Sequence, residues 1–299
     1  MNLEKLTPLS EMKLRPEFRD TLDLKLYPTN ELKIIATYAE KDMIECGMPG
    51  HHLHKKGCFV ETPDHLITNI GHMCAATHLG DDWVAIERRY RERQRDLVTF
   101  ESVDAFLTHA VEHRNRVDDL WHGERGGWWL TRCQSQLRRL PSGVFDKLRS
   151  MMRSGDGTII QYIPFYDLNE DEQELARLNM NRGGAGGLHR KLGQVVALEG
   201  AKQVRLLEVK GNLVDTVRRY SSVESSHLMK NAERRACARF VGSLGQEYGR
   251  AERFLRDGQR FFTKENFAEI AKLADSWSGK VDVMKVWASI EAMPLKPSG

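Results

Sequence analysis

The chain has 299 residues, 40% of them apolar, enough to fill a sizeable core and to exclude disorder as its main state. Its 45 Lys and Arg against 42 Asp and Glu leave a net charge of +3, so a nucleic-acid surface would have to be a local patch. A mean hydropathy of −0.51 and the lack of an apolar run near the roughly 20 residues of a bilayer span speak against a membrane protein, and the polar start MNLEKLTPLSEMKLRPEF, unlike a signal peptide, predicts a cytoplasmic chain.

In chain order, Pro8, Pro16 and Pro28 break residues 1–43 into an N-terminal arm that packs on another part of the molecule. Within it, NELKIIATYAEK can form a short helix or a strand. Residues 44–85 read as a separate module. In GCFVETPDHLITNIG two β-rich runs flank Pro63-Asp64-His65, which predicts a β-hairpin. HMCAATHLGDDW continues with few breakers, so a helix is expected from His72 or Met73.

Residues 86–182 read as a helical domain with one strand. Val103, Phe106, Leu107, Ala110, Val117, Leu120 and Trp121 recur at three- and four-residue spacing and predict one buried stripe. Gly126-Gly127 breaks the helical run, and Trp128-Trp129 beyond it are expected half in the core and half at its rim. Pro141-Ser142 opens a further helix, TIIQYIPFY is the strand, and NEDEQE starts a helix whose acidic first turn suits its dipole.

Residues 183–299 form a C-terminal helical domain, opened by the hinge-like NRGGAGGLHRKLG. A phosphate-binding reading of that segment would place His189, Arg190 and Lys191 at a helix start, but the hinge is preferred because no hydrophobic strand precedes it. Leu188 to Tyr220 reads as mostly helical, with VRLLEV as a candidate strand. A long helix is predicted from about Val223 to Asp257; its seam of Phe240, Val241, Leu244, Tyr248, Ala251 and Leu255 suits pairing within the chain or with a second copy as a homodimer. Thr263 is an expected N-cap, and VDVMKVWASIEAM closes the chain as a helix.

The chemistry-bearing residues concentrate near the front. Six of the eleven histidines lie between His51 and His78, together with Cys58 and Cys74 and just after Cys46. A structural zinc ion wants four Cys or His donors in a tetrahedron, usually supplied as two close pairs. Cys46 with His51, His52 or His54 offers the first pair. Cys74 and His78 offer the second, and their i to i+4 spacing turns both to one helix face. Loop pair, hairpin and ligand-bearing helix in this order resemble a treble-clef zinc finger over about residues 44 to 85. The resemblance implies a bound Zn2+ held by Cys46, His52 or His54, Cys74 and His78. The module looks poor in apolar residues, so the ion is expected to supply most of its folding energy. Cys133 and Cys237 read as small buried hydrophobes.

Directly after the module, ERRYRERQRD carries five arginines. A salt-bridged, solvated helix is the plain reading. The sharper one joins Arg88, Arg91 and Arg95 to Lys55 and Lys56 as a phosphate track, with Tyr90 available for base stacking. The fold class expected is therefore mainly α, a treble-clef-like zinc module of hairpin plus helix followed by a multi-helix body. The function expected is a non-catalytic, zinc-ordered nucleic-acid-binding or regulatory protein. Two alternatives stand beside it: a protein-interaction scaffold with a protein partner, and a metal-dependent nuclease drawing its base from Glu61, Asp64, Asp81 or Asp82.

Overall fold

The computed structural model describes residues 6–50, 52–180 and 187–297. It is 62% helical, so the mainly α expectation holds. Two compact units divide the chain, residues 1–101 and 102–299. Among the described residues no helix is long and apolar enough to cross a membrane.

The first unit is built on an antiparallel sheet of β1 (Lys33–Glu45), β2 (Leu53–Glu61) and β3 (Ile67–Gly71), in that spatial order. The β-branched and aromatic run after Leu32 thus resolves as strand, not helix. Cys58 faces Thr37 in β1 and Ile70 in β3. Register slips between Ala39 and Ile44, a bulge that bends the end of β1 leading into Cys46. The β2–β3 hairpin turns as predicted at Pro63-Asp64-His65, where His65 adopts φ 64°.

The arm ahead of the sheet holds to it by backbone bridges from Leu6 to Thr37 and from Phe18 to Ile67. A one-turn helix α1 (Leu9–Met12) seats Met12 in a cluster with Phe18, Tyr38, Phe59 and Ile67. On another cluster Leu24, Leu32, Ile34, Val60, Ile70, Trp83 and Ile86 gather around Cys46, Cys58 and Cys74. This corrects the expectation that the module lacks an apolar core. The missing apolar residues come from the arm before it and the helix after it, so the module is part of a larger folded unit.

Helix α2 (His72–Thr108) starts where predicted and is broken at Gly80, whose φ of 55° and ψ of −134° are not helical. Fifteen residues of straight helix would separate His72 from Glu87 by about 22 Å. Instead His72 Nδ1 lies 3.2 Å from Glu87 Oε1. The piece 72–79 therefore folds back toward the piece that begins at 81, and a glycine permits the reversal without a Cβ clash.

In the second unit α3 (Ala110–His122), α4 (Gly127–Gln136) and α5 (Ser142–Ser154) are followed by β4 (Thr158–Pro164), α6 (Glu170–Met180) and β5 (Gly187–Gln194). Val103, Phe106, Val117 and Trp121 are buried as the periodicity requires, and Trp129 is buried while Trp128 is partly so. β4 pairs antiparallel with β5. That pairing corrects the helical reading after Leu188, and it puts His189, Arg190 and Lys191 on a strand, not at a helix start. The greater part of the expected hinge, residues 181–186, lies outside the described residues.

VRLLEV is helical, within α7 (Gln203–Val209), and a π-helical turn at Lys210–Asp215 joins it to α8 (Thr216–Tyr220). The long helix α9 runs over Asn231–Phe261, beginning eight residues later than expected. The intervening segment is held by a turn at Ser226–Leu228, where Ser225 Oγ accepts from His227 N. Leu244, Tyr248, Ala251 and Leu255 of its seam are buried in the unit's own core, so intrachain packing takes up that seam. α10 (Lys264–Ala271) and α11 (Trp277–Glu291) complete the unit. Thr263 caps α10 as predicted, accepting from Asn266 N at 3.3 Å.

The α3 to α9 contact carries a titratable group. The His113 ring stacks on Phe106 at 5.0 Å and on Tyr248 at 6.2 Å. Burial, then the nearby His109 and Arg116 charges, hold its pKa below the ordinary 6.5 against the opposing pull of Glu112. A depressed histidine pKa means the unfolded chain binds the proton more readily, so stability is present above about 6.5 and falls as the pH drops below it. Chemical denaturation midpoints measured from pH 7.5 to 5 should fall, and the fall should be shallower in His113→Phe. Equal slopes in both proteins would remove His113 as the cause.

Candidate functional site

The loop between β1 and β2 carries Cys46, and its path is set by backbone hydrogen bonds. Cys46 N donates to His52 O at 2.9 Å and Gly47 N to Asn69 O at 2.8 Å. Asn69 Nδ2 donates in turn to Glu45 O at 2.7 Å, and Asn69 is 2% exposed. A Cβ on Gly47 would stand 1.9 Å from Thr68 Oγ1 and 2.9 Å from Asn69 O, so only glycine fits there. Asn69 is the positioning residue that sequence reasoning missed. Its signal is a polar side chain in a five-residue strand buried along its whole length.

Cys74, on the first turn of α2, is brought to Cys46. The two cysteines share one buried cluster, and burial followed by the neighbouring Cys46 sulfur pushes the Cys74 thiol up to about 11. Both are buried. The His52 and His78 rings stand beside each other with centroids 6.5 Å apart. A cavity of about 570 Å³ opens here, lined among others by His52, His54, Lys56, His72, Cys74 and His78.

Of the three histidines that the spacing left open, His52 and His54 are described and stand in different settings. His54 Nε2 hydrogen-bonds Tyr38 Oη, and its Nδ1 lies 3.5 Å from the His52 carbonyl. Both ring nitrogens of His54 are therefore engaged, and burial, reinforced by the His72 charge, lowers its pKa against the His52 carbonyl. His52 is exposed and faces His78. His51 lies outside the described residues. Among the described residues, as positioned, no three His, Cys, Asp or Glu side chains are grouped so as to hold a metal ion.

The other sulfur and nitrogen candidates stand apart from this pair. Cys58 is 1% exposed in the middle of β2. His65 pairs with Glu61 at 3.0 Å at the hairpin tip. Asp64 is held there by Thr62 Oγ1 and by Tyr27 Oη, which donates from 3.2 Å. The cavity wall itself carries imidazole, thiol and ammonium groups and, among its described residues, no carboxylate. Two of the four carboxylates considered for base chemistry are thus engaged at the hairpin tip.

The five arginines of ERRYRERQRD sort into two roles. Arg89 Nη2 donates to Thr29 O at 3.1 Å and Arg93 Nη2 to Ile34 O at 2.9 Å, so these two clamp the arm. Arg88, Arg91 and Arg95 are exposed, and their i, i+3, i+7 spacing places them along one face. Arg91 pairs with Glu87 at 2.8 Å, and Glu87 also meets His72 on the cavity wall. Lys55 and Lys56 are exposed at the same cavity. Tyr90 is 7% exposed in the apolar cluster, which corrects its reading as a stacking platform.

Compared with known proteins, the chain matches no family model, no curated protein and no solved structure.

Proposed function

We propose that the first unit binds one zinc ion through Cys46, His52, Cys74 and His78, and that the ion is structural. The observation that carries this is that two buried thiols 28 residues apart in sequence share one cluster, beside two imidazoles whose ring centroids are 6.5 Å apart. Two sulfurs and two nitrogens are the donor set of a closed tetrahedral zinc site. Completing it requires the His52 and His78 side chains to move onto the thiol pair. His54 is left to Tyr38 as a packing residue.

The zinc site then steadies the start of β2, which presents Lys55 and Lys56, and the helix beyond Gly80 presents Arg88, Arg91 and Arg95, as phosphate contacts for a nucleic acid. The lining itself carries lysine and histidine, and the neighbouring Glu87 is held by His72 and Arg91, which favours this non-catalytic reading over a nuclease. Backbone contacts of this kind position a polyanion without reading bases.

Fluorescence anisotropy with a labelled oligonucleotide tests the reading. Five phosphate contacts predict that log K falls with log salt with a slope of about −4. Replacing Lys55, Lys56 and Arg88 by Ala should weaken binding and flatten that slope to about −2. Binding that ignores salt, or that survives the triple replacement, would remove the nucleic-acid role. Strand cleavage that a chelator abolishes would replace it with the nuclease reading.

A further inference from the structure

The helical body holds a second cavity, of about 800 Å³, between the turn Leu137–Arg139, helix α5 and the segment from Leu198–Ala201 into α7. Its floor is apolar, with Leu137 and Ala201 buried and Phe145 and Met152 partly so. Five cations line it, Arg138, Arg149, Arg153, Lys202 and Arg205, against the single acid Glu208.

Three of those cations are engaged locally. Arg205 pairs with Glu208 at 2.9 Å, Lys202 with Glu199 at 2.5 Å, and Arg138 donates to Gln203 Oε1 at 3.3 Å. Arg149 and Arg153 have no carboxylate partner among the described residues. Elsewhere in this unit exposed cations sit in close pairs such as Arg250 with Glu247, Lys272 with Glu269 and Lys285 with Asp282. Arg149 and Arg153 instead repeat at i and i+4 on α5, a like-charge arrangement that weakens a helix by a few tenths of a kcal/mol. They share that face with Phe145 and Met152.

The floor is also rigid where it meets the cations. Gln134, 6% exposed, donates from Nε2 to Gly200 O at 3.1 Å. A Cβ on Gly200 would come within 2.2 Å of Gly258 N, so the turn carrying Ala201 and Lys202 is pressed directly on the backbone of α9.

We propose that this cavity binds a nucleotide-sized organic phosphate. Guanidinium forks match phosphate oxygens two at a time, which an acidic side chain offers with less charge. A concave site of several hundred Å³ with an apolar floor and a few convergent polar groups is the ordinary form of a small-ligand pocket. The phosphates sit on Arg149 and Arg153, with Arg138 and Lys202 reorienting to join them, and the flat apolar part of the ligand covers Phe145 and Met152. The site lies within the second unit and is independent of the zinc reading.

Titration of the full chain with a fluorescent adenosine diphosphate tests it, with unlabelled adenosine diphosphate as competitor. Saturable binding that weakens with added salt is expected. Arg149→Gln with Arg153→Gln should reduce affinity at least tenfold at unchanged melting temperature, and Arg149→Lys with Arg153→Lys, which keeps charge but loses the fork, should fall between. Lys55→Ala with Lys56→Ala should leave it unaltered. The proposal is overturned by no saturable binding at millimolar nucleotide, or by binding the Gln pair does not weaken. Adenosine binding as tightly as the diphosphate, or a glutamate-rich peptide competing as well as the nucleotide does, would also overturn it.

Discussion

Replacing Cys74 by serine should take bound zinc from one equivalent per chain to near zero, with His78→Ala and Cys46→Ser doing the same. His54→Ala and Cys58→Ser should keep the metal, because His54 is engaged by Tyr38 and the His52 carbonyl and Cys58 is buried in the middle of β2. This pattern separates ligation from packing, since all of these residues are buried or partly so and each replacement can cost stability. Zinc present at about a thousand times its dissociation constant stabilises the folded form by about 4 kcal/mol. Chelation should therefore lower the melting temperature of the first unit without abolishing its fold, because the cluster around Leu32, Ile34, Val60 and Trp83 remains. Elemental analysis and thermal melting, with and without chelator, provide the readouts. Metal retained in Cys74→Ser, or no metal in the parent chain, would end the zinc reading.

Phe267→Ala should be the most damaging single change in the second unit. Phe267 is fully buried, with its ring centroid 5.5 Å from that of Trp287 and 6.3 and 6.4 Å from those of Phe262 and Phe261. It ties α10 to both α9 and α11. Truncating a buried phenylalanine costs about 3–5 kcal/mol through lost transfer energy and the cavity left behind, against a total stability of about 5–15 kcal/mol. For a unit of this size that predicts a fall in melting temperature of roughly 6 to 20 °C. Chemical denaturation with a linear fit checks the value. A loss under about 1 kcal/mol would mean that α10 is not docked through this ring.

Much of this molecule is legible locally. The β2–β3 hairpin follows from β-formers on either side of a proline-led turn. The start of α2 at His72 and the cap by Thr263 follow from signals within a few residues of the element they define. Of the five candidate metal ligands, His52, His54, Cys74 and His78 line one cavity, but among the described residues no three of them are grouped so as to hold an ion. The residues chosen as outward basic contacts, Arg88, Arg91 and Arg95, are indeed exposed.

Elsewhere the outcome depended on partners far along the chain. GLHRKLG has the composition of a loop or helix start, and it is a strand because β4 lies open to it across α6. Tyr90 has a polar neighbourhood in sequence but is buried in an apolar cluster, to which the arm also contributes Leu24 and Leu32. Asn266 reads as a polar residue on a short helix. It is 3% exposed and bonds Val196 N, Val196 O and Phe261 O, replacing a missing stretch of backbone pairing.

The amino-acid order by itself determined the helical class, most element starts, and the crowding of sulfur and imidazole donors near the front, because each depends on periodicity or turn chemistry within a short window. Only the tertiary structure decided that His52 and not His54 stands beside His78, which arginines clamp the arm and which reach solvent, and that five cations line one cavity with an apolar floor. Those choices are made by groups tens of residues apart, and no local propensity encodes which of them meet.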